Sequence, residues 1–578
     1  MSWQEWRALI SAYLRPHRRL GTGLGVFLLG SISLQVATPQ LIRVFIDRAT
    51  ARVASPLVWL GFLYVAAVVL QQVFTVMATW ASQQLGWLTT NEMRVDLMAH
   101  CLSLDPGFHK ERTPGEMIER IDGDMNGLSL FFGQFLLGVL GGLLLLVGVL
   151  VALWVQSALA GAVMTAFAAL ALVVLVAVRR VGAPAWQRAR QASAMLFGFL
   201  EERLGGTEDL RSCGAEPHTL RGFYGLARDR TWTTSRARVM EAIPWATNSV
   251  IAAAANAVAF SVPAVLVRDH VLSIGSAFVL YFYTQLLTQP LANVSQQVEQ
   301  LQQAIAGGRR VLELMGIRSA LDDGPGAELA RGALSVRFRG VSFGYGDDQD
   351  VLHKIDLEVP AGSVLGVVGR TGSGKTSLAR LLVRLHDPRV GTVEVGGVDL
   401  RRLQLVQIRQ RVAMVSQEVH VMRASVRDNL TLFDGAVADE SISAALEKMS
   451  LGSWFDSLPG GLDSVVREGG AGLSAGQAQL LAFGRAFLAD PSVVILDEAS
   501  SRLDPATEAV LEDAVDMLLS GRTGIVIAHR LATLERCDVI CVLDHGRIIE
   551  YGRREALAAD PHSWFGRLLR TGLDLVPT

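Results

Sequence analysis

The sequence predicts a multi-domain chain of two fold classes: an all-α half of six membrane-spanning helices, then an α/β half built on a P-loop. Three observations carry this. Six apolar runs of about twenty residues, the length needed to cross bilayer hydrocarbon, fill the region before residue 300. A Val-rich run, Val364-Leu365-Gly366-Val367-Val368, leads directly into Gly369-Arg370-Thr371-Gly372-Ser373-Gly374-Lys375-Thr376. A second, Ser492-Val493-Val494-Ile495-Leu496, ends in Asp497-Glu498.

Composition agrees. Of 578 residues, 50% are hydrophobic and 19% charged, with a mean hydropathy of +0.34, against about 25% charged in a soluble protein. The net charge of −2 says nothing about nucleic acid, and no polybasic run suggests such a partner, so none is expected. Cys101, Cys213, Cys537 and Cys541 show neither zinc nor C-x-x-C spacing and read as free thiols.

The spans run approximately over 20–41, 57–80, 131–155, 158–178, 243–267 and 274–294. Short links join the first, third and fifth spans to their successors. The other two connections hold about fifty and sixty residues, with few helix breakers and a continuing apolar rhythm. They read as helices, and an extension of some 25 residues projects roughly 37 Å beyond the membrane. Arg179, Arg180, Arg188, Arg190, Arg203 and Arg211 lie in the second connection. With the basic N-terminus they place both connections in the cytoplasm. Arg43, Arg48 and Arg52, in the first outward link, are exceptions. Ahead of the first span, Trp3, Trp6, Ile10, Tyr13 and Leu14 share a helical face suited to the membrane interface. The projections end in turns at 106–116 and 213–217, which could touch a cytosolic domain. Gln35, Gln71, Gln72, Gln134, Asn248, Asn256 and the 281–289 stretch are the polar exceptions within spans. Such residues either face a cavity or join helices.

In the second half, a strand, a G-x-x-x-x-G-K-T loop and a helix follow in the order that gives the motif meaning. Glycines let backbone amides curl around a β-phosphate, and the helix N-terminus favours an anion. Lys375 is placed to reach the β- and γ-phosphates of ATP, and Thr376 to coordinate Mg²⁺. Asp497 can hold the same ion through water. Glu498 can orient and polarise the attacking water, because phosphoryl transfer depends mostly on positioning. About a hundred residues after the loop comes Leu473-Ser474-Ala475-Gly476-Gln477, which a P-loop domain does not need for its own ATP.

Together, 369–376, 473–477 and 493–497 resemble the Walker A, signature and Walker B motifs of an ATP-binding cassette (ABC) transporter, in order and spacing. The six spans are similar to those of exporter-type (type IV) half-transporters, so the resemblance covers essentially the whole chain. It implies an elbow helix at 1–19, a transmembrane domain at 20–315, a linker at 316–333 and a nucleotide-binding domain at 334–578. It implies that Tyr345 stacks on adenine and that 369–376 with Ser377 hold the phosphates. Gln417 would join Thr376 and Asp497 around Mg²⁺, and His529 would contact the γ-phosphate. Glu498, His529, Lys375 and Gln417 form the implied catalytic set, and Asp504 lies in the loop joining two sites. Ser474, Gly476 and Gln477 would bind ATP held by a second chain.

Two departures stand out: Ala475 for the usual central glycine, and Ser500-Ser501-Arg502 for Thr-Ser-Ala. They leave homodimer and heterodimer both open. The expected function is ATP-driven transport of an amphipathic or hydrophobic drug, lipid or peptide. The direction expected is export, across a bacterial inner or plasma membrane with the nucleotide domain in the cytoplasm. An importer of similar fold, for example for a siderophore, and an ATP-gated channel or receptor are the alternatives.

Overall fold

The computed structural model describes residues 11–51, 57–269, 272–346, 349–417, 419–449, 452, 455, 458–466, 473–497, 505–528 and 531–571. The chain forms two compact units: Met1–Leu102 with Pro114–Ile317, and Ser103–Thr113 with Arg318–Thr578.

In unit 1, α1 (Arg18–Thr50) and α2 (Leu57–Ser103) lead to α3 (Pro106–Glu111), which belongs to unit 2. The chain then returns to unit 1 as α4 (Pro114–Gln156), α5 (Ala158–Gly205), α6 (Glu216–Arg268) and α7 (Ile274–Met315). Five of these helices contain a stretch long and apolar enough to cross a membrane, and α7 adds the shorter apolar run Ile274–Thr288 among the described residues. In lipid, a backbone satisfies its own polar groups only as a helix or closed barrel, which is why each apolar run is helical throughout. Both long connections continue the spans as helix, so α2 and α6 reach 47 and 53 residues. Trp59, Phe62, Val69 and Trp80 of α2 are more than half exposed, the pattern of a lipid-facing surface. Residues 1–10, Arg52, the side chains of Arg179 and Arg180 and those of Gln134 and Gln289 lie outside the described residues.

Polar bridges join the helices. Ser31 Oγ lies 2.8 Å from Thr75 Oγ1, and Ser82 Oγ donates to Gly133 O at 2.8 Å. Gln285 donates to Asn256, so this amide pair ties α6 to α7. Asp124, buried on α4, accepts from Arg310 Nε of α7 at 2.9 Å. Asp47 of α1 crosses to the start of α7, accepting from Gly275 N at 3.0 Å and Ser273 Oγ at 2.9 Å. The approach there is close enough that a Cβ on Gly275 would sit 2.6 Å from Arg43 O.

Unit 2 stacks two sheets. β1 (Val336–Phe343), β2 (Leu352–Val359), β4 (Val390–Val395) and β5 (Val398–Asp399) form an antiparallel sheet in the order β2-β1-β4-β5. The larger sheet runs β10-β9-β3-β8-β7-β6. It takes in β3 (Val364–Val368), β6 (Val412–Val415), β7 (Val493–Asp497), β8 (Thr523–Ile527), β9 (Val539–Asp544) and β10 (Arg547–Arg553). All of its pairs are parallel except β9–β10. β7 and β8 are buried on both faces, as their unbroken apolar runs require. One face, with Val494, Leu496, Val526 and Val542, packs on helical residues such as Leu481, Phe483 and Leu511. The other, with Val493, Ile495, Ile525 and Leu543, packs on the antiparallel sheet.

Gly275→Ala should destabilise unit 1 by about 1–3 kcal/mol through overpacking, seen as a lower melting temperature in detergent. An unchanged melt would show that the α1–α7 approach leaves room for a methyl group. Burial pushes the Cys537 and Cys541 thiols up to about 12, leaving little thiolate at pH 8. Since Cys101 is also buried and Cys213 exposed, iodoacetamide at pH 8 should label Cys213 alone in the native protein, as peptide mass spectrometry will read.

Candidate functional site

Strand register places the chemistry. Val367 pairs with Ile527, Ile527 with Asp497, and Leu496 with Val415. Four parallel strands therefore end level, and the chain leaves each at the same carboxyl edge. There Gly369 follows β3, Asp497 closes β7, Ser416 and Gln417 follow β6, and Ala528 follows β8. Ligands of open parallel sheets bind along such an edge.

The loop after β3 turns into α8 (Lys375–Leu382) through Gly374, which caps the helix at φ +103°. A Cβ there would lie 2.6 Å from Leu352 Cδ2, so both conformation and space demand glycine. Arg370, Thr371 and Gly372 are exposed at the crest, while Ser373, Lys375 and Ser377 are buried and Thr376 half-buried. Lys375 arches back over its own loop, donating from Nζ to Gly369 O at 2.7 Å and Arg370 O at 3.1 Å. Ser373 Oγ is buried without a hydrogen-bond partner among the described residues, a polar atom enclosed in the glycine-rich loop. Asp497 is also buried. Gln417 is exposed at the same edge.

Tyr345, two residues past β1, reaches α8: its hydroxyl lies 3.0 Å from Ser377 Oγ and accepts from Arg380 Nη1 at 3.1 Å. Its ring meets Phe343 and His386 edge-on, with centroids at 4.9 and 5.3 Å. Lys110 Nζ, on α3, lies 4.8 Å from the Tyr345 centroid. Nothing in the local sequence marks Lys110 as a neighbour of Tyr345. It falls in the 106–116 turn, but only the fold brings that turn to a ring 235 positions later. Burial, with Arg380 and Lys110 nearby, lowers the His386 pKa, so the imidazole is neutral at pH 7. Asp105 starts α3, its Oδ1 accepting from Phe108 N at 3.2 Å and Oδ2 from Ala320 N at 2.9 Å. Burial opposes ionisation of Asp105, but the N–H donors of Ala320 and Phe108 outweigh it and hold the carboxyl below its ordinary range.

The 473–477 segment opens α9 (Ala475–Leu488). Ser474 is its N-cap: Oγ accepts from Gln477 N at 3.1 Å, and Gln477 Oε1 accepts from Ser474 N at 2.9 Å. This reciprocal capping box is written in the sequence as S-x-x-Q. Ser474 is exposed and keeps its O–H for a further acceptor beside the free amides of the first helical turn. Glu498, Asp504 and His529 lie outside the described residues, as do Ser500, Ser501 and Arg502.

Comparison with known proteins decides the family. The model for the ABC transporter transmembrane region matches residues 23–291, and a second model, described as ABC transporter, matches 352–501. An uncharacterized ABC transporter ATP-binding protein of Bacillus subtilis, YknV, is 30% identical over 567 residues, covering 96% of this chain and 92% of the relative. The chain belongs to the ABC transporter family. An ATP-dependent lipid A-core flippase of Haemophilus influenzae is 29% identical, covering 86% of this chain and 85% of that one. The fold matches a bacterial Atm1-family ABC exporter with ATP bound at a TM-score of 0.82 and 23% identity, covering 97% of this chain and 99% of the other. This ABC transporter chain is thus a multi-pass membrane protein and a nucleotide-binding ATPase coupled to transport. Half-transporters of the family generally dimerise.

Gly374→Ala should cost about 1–3 kcal/mol from its left-handed backbone alone, with the Leu352 clash added. Limited proteolysis of the full chain should become faster across 364–382, and wild-type resistance would refute the strained cradle.

Proposed function

We propose that the chain is one half of a dimeric exporter that uses ATP hydrolysis to move an amphipathic substrate out across a bacterial inner membrane. The observation carrying this is the level carboxyl edge of β3, β6, β7 and β8, where Lys375, Gln417 and Asp497 are delivered beside an amide cradle.

In this reading Gly369, Arg370, Thr371, Gly372, Ser373 and Gly374 present backbone amides to the phosphates, and Lys375 exchanges its loop carbonyls for phosphate oxygens. Ser377 fixes the hydroxyl of Tyr345, whose ring takes the adenine. Mg²⁺, held by Thr376 and Asp497 with Gln417 at its margin, would neutralise charge developing on the phosphates. The donor set fits: a hydroxyl, a buried carboxylate and an amide, all oxygen ligands. Glu498 orients water, His529 steadies the γ-phosphate, and Asp504 links the two sites. The α9 N-terminus, with Ser474, Gly476 and Gln477, faces the γ-phosphate on a second chain. ATP then binds the closed dimer better than the open one, and that difference is what it can spend on moving the spans.

The similarity to the Haemophilus lipid A-core flippase and the lipid-facing apolar helices support a substrate that enters from the bilayer. Arginines of the second long connection favour a cytoplasmic nucleotide domain. Whether the second chain is a copy or a different half-transporter is decided by mass analysis of the purified complex.

Glu498→Gln should retain ATP binding and lower hydrolysis at least about 100-fold. Wild-type turnover in this variant would remove Glu498 from the base role. In inside-out vesicles, an exporter accumulates substrate only with ATP, and ATP-driven loss from preloaded vesicles would instead mark an importer.

A further inference from the structure

A cleft of about 480 Å³ lies among α1, α4 and α7, where α4 ends and α7 begins, remote from the long connections. That volume suits a small amphiphile, since ligand sites commonly span about 300–1,000 Å³. Ile32, Val36, Ala152 and Val155 make its walls apolar, while Gln40, Arg43, Gln156 and Tyr283 make one region polar.

The polar region has a direction. Tyr283 Oη donates to Val36 O at 2.8 Å, and a backbone carbonyl can only accept. The Tyr283 oxygen must therefore accept from Gln40 Nε2, at 2.8 Å, and the same nitrogen donates to Gln156 Oε1 at 3.2 Å. The chain of bonds ends on Gln156 Nε2, which is buried with no acceptor among the described residues. An unmet buried donor costs about 1–3 kcal/mol, so a group that supplies an acceptor is favoured there.

Arg43 adds charge. Its ion pair with Asp47 spans 3.7 Å from Nε to Oδ2, longer than a charged hydrogen bond. Both Asp47 oxygens already accept from the start of α7. Arg43 lies just past the first apolar span, where a long basic side chain can reach polar groups at the membrane boundary. Here the same cleft holds a cation and an amide donor at the end of apolar walls.

We propose that this cleft binds an anionic amphiphile, with its carboxylate or phosphate head on Arg43 and the Gln156 amide and its hydrocarbon body along Ile32, Val36, Ala152 and Val155. This rests on the transport reading above and narrows its substrate class. A carboxylate or phosphate brings only acceptors and negative charge, which suits both the Arg43 guanidinium, with its long ion pair to Asp47, and the Gln156 amide. An alcohol head can accept from the Gln156 amide but brings no charge for Arg43.

The test uses the full-length protein in phosphatidylcholine nanodiscs without nucleotide, against empty nanodiscs. The probes are radiolabelled dodecyl phosphate, dodecanoate and dodecanol. The two anions should bind saturably and more tightly than dodecanol. Arg43→Ala should weaken the anions at least about tenfold, Arg43→Lys by no more than about threefold, and neither should change dodecanol. Gln156→Leu keeps the volume, loses the donor and should weaken the anions about fivefold, so the inference stays testable if Arg43→Ala does not fold. Equal binding of all three probes, or anion binding indifferent to both positions, overturns the site while leaving ATP-driven export untouched. Anion binding as expected, with no ATP-dependent uptake into inside-out vesicles, would instead overturn the transport reading and keep the site.

Discussion

The register of four parallel strands is the constraint on which the nucleotide half depends. A slip of one residue between β7 and β8 would turn Asp497 to the opposite face of the sheet and exchange every buried side chain of a strand with no exposed face. Because both faces are buried, that slip would disturb two cores at once, so the level ends are strongly enforced. The loop after β3 needs only local means to finish the site: a left-handed Gly374, a short helix and a lysine that bridges the turn. Global register and local turn chemistry thus converge on the same carboxyl edge of the sheet.

The membrane half is held by a different economy. Lipid tails are as apolar as leucine, so burial does little to choose one helix arrangement over another, and the choice falls to small residues and polar pairs. Gly275 under Arg43 O, Ser82 on the Gly133 carbonyl and Asp47 at the head of α7 are of this kind. Each joins helices far apart in sequence. Asp124 and Arg310 do the same between α4 and α7, where charge assistance keeps the Arg310 pKa above its ordinary value.

What could be read from sequence follows from which features are local. Apolar runs, their helical continuations, the strand–loop–helix of the phosphate cradle and the S-x-x-Q cap each depend on neighbours within one element. Lys110 over Tyr345 was not legible, because α3 meets the end of β1 only through the fold. Nor was the Gln40–Gln156–Tyr283 network, whose members stand 116 and 243 positions apart. Periodicity marks a face, but it does not say which face of another helix comes to meet it. Arg43 was visible as an exception to the charge pattern, and only the cleft gives that exception a chemical setting.

The short helix α3 shows how magnitudes sort contacts that look alike. Lys110 above Tyr345 contributes about 0.5–1 kcal/mol at an exposed site, too little to hold a turn in place. Asp105 joins the start of α3 to Ala320 beyond α7, with a carboxylate kept charged by two backbone donors. Phe108 is buried, and removing a buried aromatic from a core costs about 3–5 kcal/mol. The turn is therefore seated by Asp105 and Phe108, while Lys110 sits as a weak, exchangeable contact on the Tyr345 ring. A strong contact there would resist every change at Tyr345; a weak one can yield while α3 stays bound to its unit.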